Sequence, residues 1–242
     1  MNSDLLTTKD TQPARTTLLQ AAWAVFRKDV RAELRTRYAL NALVLFAACA
    51  IVAVSIGVGP LAPSRNADLR LIQSALLWIA ILFAAFTGLS RSFVHEEETR
   101  TAAALRLAAP PLAVYLGKFL FNLALLVLLD VVTVLLAIAL LRLRIGNPGL
   151  FAAMVAAGSL GLVSATTLIA AIIARAGVKG ALFAVLAFPL LVPLLVVAIQ
   201  GTDLALGGVQ WAQGLAPLQV LLAYTIALFS ASMLLFAMVW ES

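Results

Sequence analysis

Six long apolar stretches, separated by short hinges, occupy nearly all of the chain after residue 38. A helix needs about 20 mostly apolar residues to cross the hydrocarbon core of a bilayer. The stretches at about 39–57, 71–90, 116–141, 150–174, 180–199 and 218–240 meet that requirement. They are rich in Leu, Ala and Val and lack the alternation every second residue of barrel strands. The expected fold is therefore all-α and integral to a membrane. Only 12% of the 242 residues are charged, against about 25% in soluble domains, and a soluble chain this apolar would precipitate. Too little lies between the spans to house a separate catalytic domain.

Ahead of the first span, residues 1–15 are polar and are expected to form a disordered tail. Residues 16–38 read as an amphipathic helix. Leu19, Trp23, Phe26, Val30 and Leu34 recur at helical spacing, while Lys28, Arg31 and Arg35 occupy another face, as in helices that lie in a membrane interface. No continuous apolar run precedes residue 39, so a cleaved secretory signal is not expected. Cys49 is the single cysteine. It excludes an intrachain disulfide and reads as a small buried filler within the first span.

Basic residues concentrate on the cytoplasmic side of membrane proteins. With the N-terminus inside, the inner segments hold 13 Lys and Arg and the outer ones 4, namely Arg65, Arg70, Arg142 and Arg144. Six spans then leave both termini cytoplasmic. The net charge of +6 follows from basic residues at an anionic inner surface and needs no nucleic-acid partner.

Several local features stand out. Gly146-Asn147-Pro148-Gly149 is a turn signal, and residues 200–217 read as an outer segment rich in glycine. Ala153, Ala157, Gly161 and Ala165 recur every fourth residue in the fourth span, a stripe that permits close helix approach. Pro189 and Pro193, one turn apart in the fifth span, each lack the amide of an intrahelical bond and are expected to kink or break it. Asp130 is an acid near the middle of a span, where an ionised group costs roughly 2.5–3.5 kcal/mol. Two readings fit it equally: a pathway or coupling residue, or a polar group bonded to a neighbouring helix. Asn122, two turns away on a similar face, extends the same polar line.

Catalytic chemistry is not in view. Gly117-Lys118-Phe119 fails both ends of a phosphate-binding loop, so ATP hydrolysis by that route is excluded. His95 is the single histidine and sits beside Glu96, Glu97 and Glu98; this reads as a solvated polar face, and no metal site is expected. Neither His nor Cys lies in the outer segments to serve as a nucleophile, base or haem ligand. The one sizeable cytoplasmic loop, 91–115, has an acidic start, an Ala/Leu stretch suited to a helix and a proline stop. A short helix beneath a six-span bundle suits docking to a cytoplasmic partner.

Here the chain resembles haem exporter protein B (CcmB), a family of ABC-2 type permeases. The resemblance rests on Arg91-Ser92-Phe93 with Glu96–Glu98, on Leu105-Arg-Leu-Ala, and on Tyr115-Leu-Gly-Lys118. Pro189-x-x-x-Pro193 and the basic segment Phe26 to Arg35 also fit, and the likeness extends from about residue 20 to 240. Relatives commonly carry a Gly followed by a small residue and Leu where this chain has Thr99-Arg100-Thr101-Ala102.

The resemblance implies a six-helix permease subunit, preceded by an interfacial helix, in a bacterial inner membrane. It implies no ATPase of its own and no directly bound cofactor, with haem handled by the complex and ATP by a partner. The partners would be a CcmA-like cytoplasmic ATPase, CcmC-like and CcmD-like membrane subunits, a CcmE-like haem chaperone and a second copy of this chain. Arg91, Glu96, Glu97, Glu98, Arg100 and Leu105 would then belong to the segment that docks the ATPase. An ABC-2 permease for a drug, lipid or polysaccharide would share the topology. A secondary transporter centred on Asp130 would need matched broken helices in two halves, and only the fifth span carries the prolines for one.

Overall fold

The computed structural model describes residues 17–58, 67–89, 109–176 and 181–241. Among these, seven helices follow one another: α1 (Leu18–Thr36), α2 (Tyr38–Val58), α3 (Ala67–Leu89), α4 (Pro111–Leu140), α5 (Pro148–Ala176), α6 (Ala181–Leu206) and α7 (Trp211–Glu241). The six from α2 to α7 are long and apolar enough to cross a membrane, and no strand forms among the described residues.

Several helix ends have a local cause. Thr17 caps α1 in a reciprocal box: its hydroxyl accepts from the Gln20 amide, and the Gln20 side chain accepts from the Thr17 amide. Arg37, in the left-handed region at φ 52°, ends α1, and the Glu33 carboxylate bridges the turn by accepting from the Leu40 amide at 2.8 Å. α4 starts at Pro111, five residues before the expected span. Pro110 is extended and Pro111 sits at the first helical position, where a missing amide costs no bond. At the start of α5 the expected turn is also a cap, because Asn147 Oδ1 accepts from the Leu150 amide at 3.1 Å, just ahead of Pro148.

α5 is the axis of the bundle. It packs against α3, α4, α6 and α7, and 78% of its spanning stretch is buried, compared with 17% for α2 and 22% for α7. Small residues make this possible. A Cβ on Gly158 would lie 2.2 Å from the Trp78 ring, and one on Gly161 would lie 2.2 Å from Leu194 and 2.9 Å from the Thr225 hydroxyl. Thr225 donates to the Ala157 carbonyl at 3.3 Å. The Ala157, Gly161 and Ala165 part of the stripe is thus buried beneath its neighbours.

The helices depart from the expected spans most at the far end of the bundle. α6 continues to Leu206 rather than residue 199, and α7 starts at Trp211 rather than 218. Tertiary contacts hold these glycine-rich turns in helix: Gly201 lies against Met154 and Gly214 against Leu150. Thr202 accepts from Trp78 Nε1 at 2.9 Å, and Asp203 pairs with Arg70 at 3.7 Å. The 207–210 link is pressed against the 142–147 link, where Gly208 adopts φ 75° and Gly146 has no room for a Cβ. Asn147 locks the two links together, its side-chain amide donating to the Val209 carbonyl at 3.0 Å.

Two further expectations need adjustment. α6 runs as one helix through Pro189 and Pro193, so of the kink or break expected there the break does not occur. Between them, the Leu190 carbonyl accepts from the Tyr224 hydroxyl at 2.7 Å, which ties this stretch to α7. Cys49 is exposed rather than buried, because α2 presents most of its surface outward, Leu45 and Ile56 included.

The fit of Trp78 over Gly158 makes a first prediction. Gly158→Ala should destabilise the purified protein by about 1–3 kcal/mol, the usual penalty for overpacking, read as a lowered melting temperature in detergent. Adding Trp78→Phe, a smaller ring, should recover part of that loss; a melt unchanged by Gly158→Ala would contradict the packing.

Candidate functional site

Two polar arrangements meet on α4. The first joins it to α1. The face of α1 turned toward the bundle carries Ala22, Val25 and Asp29, all buried. Gly117 on α4 receives it: a Cβ there would lie 2.6 Å from Val25 Cβ and 2.8 Å from the Ala22 carbonyl oxygen, so only glycine allows this approach. One residue on, Lys118 Nζ lies 3.0 Å from Asp29 Oδ2 with side-chain exposures of 3% and 9%. Lys28 Nζ approaches the other carboxylate oxygen at 3.3 Å from a more exposed position. Removing one partner from a buried pair leaves an uncompensated charge and costs about 3–5 kcal/mol.

Next to this junction, Tyr115 is buried among Phe119, Phe229 and Phe236, with ring centroids 6.1, 6.0 and 5.3 Å away. Tyr115-Leu-Gly-Lys118 therefore combines an aromatic anchor to α7, a notch for α1 and one half of an ion pair.

The second arrangement joins α4 to α5. Asn122 Nδ2 donates to Thr167 Oγ1 at 2.9 Å, and Ser159 donates to Asp130 Oδ2 at 2.7 Å. The two α4 residues are eight apart, and so are their α5 partners. Both bonds thus belong to a single antiparallel register of α4 against α5. Asn122 is fully buried and Asp130 is 6% exposed. Asp130 Oδ1, Asn122 Oδ1 and Thr133 Oγ1 are buried without a hydrogen-bond partner, an unusual concentration, because buried polar atoms are nearly always satisfied.

Of the residues singled out in the sequence, the structure brings Asn122 and Asp130 onto one seam and places Pro189 and Pro193 on α6. Arg91, Glu96, Glu97, Glu98, Arg100 and Leu105 lie outside the described residues, as does His95. The Asp29–Lys118 pair was not anticipated. Its signal was an acid in register with Ala22 and Val25, on a face distinct from the apolar row of α1, and a lysine inside an otherwise apolar span. The two segments that meet here, Phe26–Arg35 and Tyr115–Lys118, both belong to the resemblance described above.

A family model described as CcmB protein matches residues 20–239, from the first turn of α1 to near the end of α7. The chain belongs to the CcmB family. It is therefore a multi-pass membrane component of the haem exporter of cytochrome c maturation, a transporter subunit within an ABC system that includes an ATPase partner. No curated protein matches the chain.

The ion pair yields a second prediction. Asp29→Asn should lower unfolding stability by about 3–5 kcal/mol, and Lys118→Met by less, because Lys28 still faces the Asp29 carboxylate. The double variant, which leaves no buried charge unpaired, should lose less than the sum of the two. Additive losses in a double-mutant cycle of detergent melts would show that the two charges do not interact.

Proposed function

We propose that this CcmB-family chain is the non-catalytic permease half of its complex, transmitting ATP turnover from a cytoplasmic CcmA-like subunit into the membrane. In this reading both termini and the 91–115 coupling loop face the cytoplasm of a bacterial inner membrane. The ATPase docks on that segment through Arg91, Glu96, Glu97, Glu98, Arg100 and Leu105. CcmC-like and CcmD-like subunits and a second copy of this chain complete the membrane assembly. The mechanical output is release of a haem-loaded CcmE-like chaperone on the opposite face.

The observation that carries this reading is the convergence on the start of α4. The loop re-enters the bundle at Pro111, and α1 is held there by Gly117 and the Asp29–Lys118 pair. α4 continues as one unbroken helix from this junction to Asn122 and Asp130. A displacement of its first turns by a docked ATPase would therefore strain the seam with α5, whose two hydrogen bonds define one register. In this reading Asp130, whose second carboxylate oxygen has no hydrogen-bond partner, exchanges partners as that register shifts.

Affinity purification of the chain from native membranes tests the assignment: an ATP-binding subunit and cytochrome c maturation proteins should co-purify. Replacing Glu96, Glu97 and Glu98 with Ala should reduce ATPase recovery about tenfold or more, the scale of a typical coupling of 1–3 kcal/mol, while membrane insertion is unchanged. Recovery of the ATPase at the wild-type level would remove the docking role from these residues. Asp130→Asn should leave the complex assembled yet depress cytochrome c maturation in cells; wild-type maturation would reduce Asp130 to a packing role.

A further inference from the structure

Helix α1 has three faces. Advancing about 100° per residue, Ala22, Val25 and Asp29 form the face held by α4. Leu19, Trp23, Phe26, Val30 and Leu34 form a second, and Arg27, Arg31 and Arg35 a third, the three centred roughly a third of a turn apart. On the second face Leu19 is 74% exposed and Trp23 and Leu34 are both 58% exposed. Trp23 and Phe26 pack against each other in a tilted pair with centroids 4.9 Å apart. The spans also carry outward apolar residues, Leu45 of α2 at 66% exposed among them.

The third face is basic because the acids of α1 are turned away from it. Asp29 is buried against Lys118, and the Glu33 carboxylate accepts from the Leu40 amide at the α1–α2 turn. Arg27, Arg31 and Arg35 are exposed, and no acidic side chain among the described residues pairs with them. Three guanidiniums thus project from a helix whose adjacent face is apolar. At a membrane interface the first arginine, Arg27, flanks the apolar row, and all three reach the headgroup layer by extending along their aliphatic stems.

We propose that α1 is a binding site for acidic phospholipid headgroups, built from Arg27, Arg31 and Arg35 and oriented by the Asp29–Lys118 pair. The charge of the face selects acidic over zwitterionic lipid, and the apolar row beside it fixes the depth at which the arginines meet phosphate. Because α1 sits in the Gly117 notch, a headgroup bound here also bears on the start of α4. The inference concerns lipid and stands apart from the ATPase reading, and its test contains no ATPase.

The full chain, purified in detergent, is titrated separately with phosphatidylglycerol and phosphatidylcholine, and its melting temperature is followed as a measure of binding. At roughly fivefold preference per basic residue, phosphatidylglycerol should act at about a hundredfold lower concentration than phosphatidylcholine. Raising the salt should shrink that difference. The triple variant Arg27→Gln, Arg31→Gln, Arg35→Gln should melt like the wild type in detergent alone and respond equally to both lipids. The corresponding triple Lys variant should retain the preference.

Soluble glycerol phosphate should give no shift, since it lacks the chains that hold a headgroup beside the apolar row. Equal responses of the wild type to the two lipids would overturn the proposal, as would a preference that survives in the Gln variant. A shift produced as well by polyglutamate as by phosphatidylglycerol would also overturn it and make this face a docking surface for an acidic protein. The salt dependence of the wild type keeps the test decisive should the Gln variant fail to fold.

Discussion

The bundle depends on one helix being thin. α5 can touch four neighbours only because its side chains at the contacts are small: Gly158 beneath Trp78, Gly161 beneath Leu194, and Ala157 with its carbonyl open to Thr225. Lipid chains are as apolar as leucine, so helices in a bilayer gain little from hiding leucine against leucine and depend instead on close van der Waals contact and interhelical hydrogen bonds. Both require the backbones to approach. Once α5 is slim, large residues on the neighbouring helices find a place, and Trp78 both covers Gly158 and bonds to Thr202 across to α6.

The same medium dictates where polar groups go. A hydroxyl or amide facing lipid has no water to bond, so Asn122 and Asp130 of α4 turn toward Thr167 and Ser159 of α5, while Ser164 and Thr166 bond carbonyls of their own helix. The Asn122–Thr167 and Ser159–Asp130 bonds are short, yet an interhelical bond in a membrane contributes on average only about 0.6 kcal/mol. They set register more than they hold the helices together. The seam is thus specified by two bonds in one register, with spare acceptors on Asn122 and Asp130. The far end is different in kind: Asn147, Gly146 and Gly208 interlock there, and Arg70 faces Asp203.

Much of this was legible in the residues because the bilayer imposes a length. Six apolar runs of spanning length became six helices, and the small-residue stripe of α5 became its contact face. What was not legible is what two distant segments do to each other. Gly201, Gly214 and Pro217 read as loop by local preference, and they are helical because Met154 and Leu150 press on the glycines and the adjacent Thr202 and Asp203 are tied to α3. Cys49 read as core by residue type, and it faces outward because α2 is peripheral. Asp29 and Lys118 lie almost ninety residues apart in the chain. Periodicity placed Asp29 on a helix and the count of positive charges placed Lys118 on one side of the membrane, but neither could pair them.

That pairing changes what α1 is. A basic amphipathic helix attached only through its turn into α2 would float at the interface, free to move without consequence for the bundle. Here Arg37 makes a tight left-handed turn at one end, while Asp29 and the Val25–Gly117 contact fix the middle of the helix to α4. Rotation of α1 about its own axis would bury Asp29 without Lys118 or drive Val25 into the α4 backbone, so the helix is fixed in rotation against the first turns of α4. Lys118, Asn122 and Asp130 then lie in succession along a single helix whose length exceeds the hydrocarbon core. The loop end of α4 and its seam with α5 are thus joined by one continuous helix.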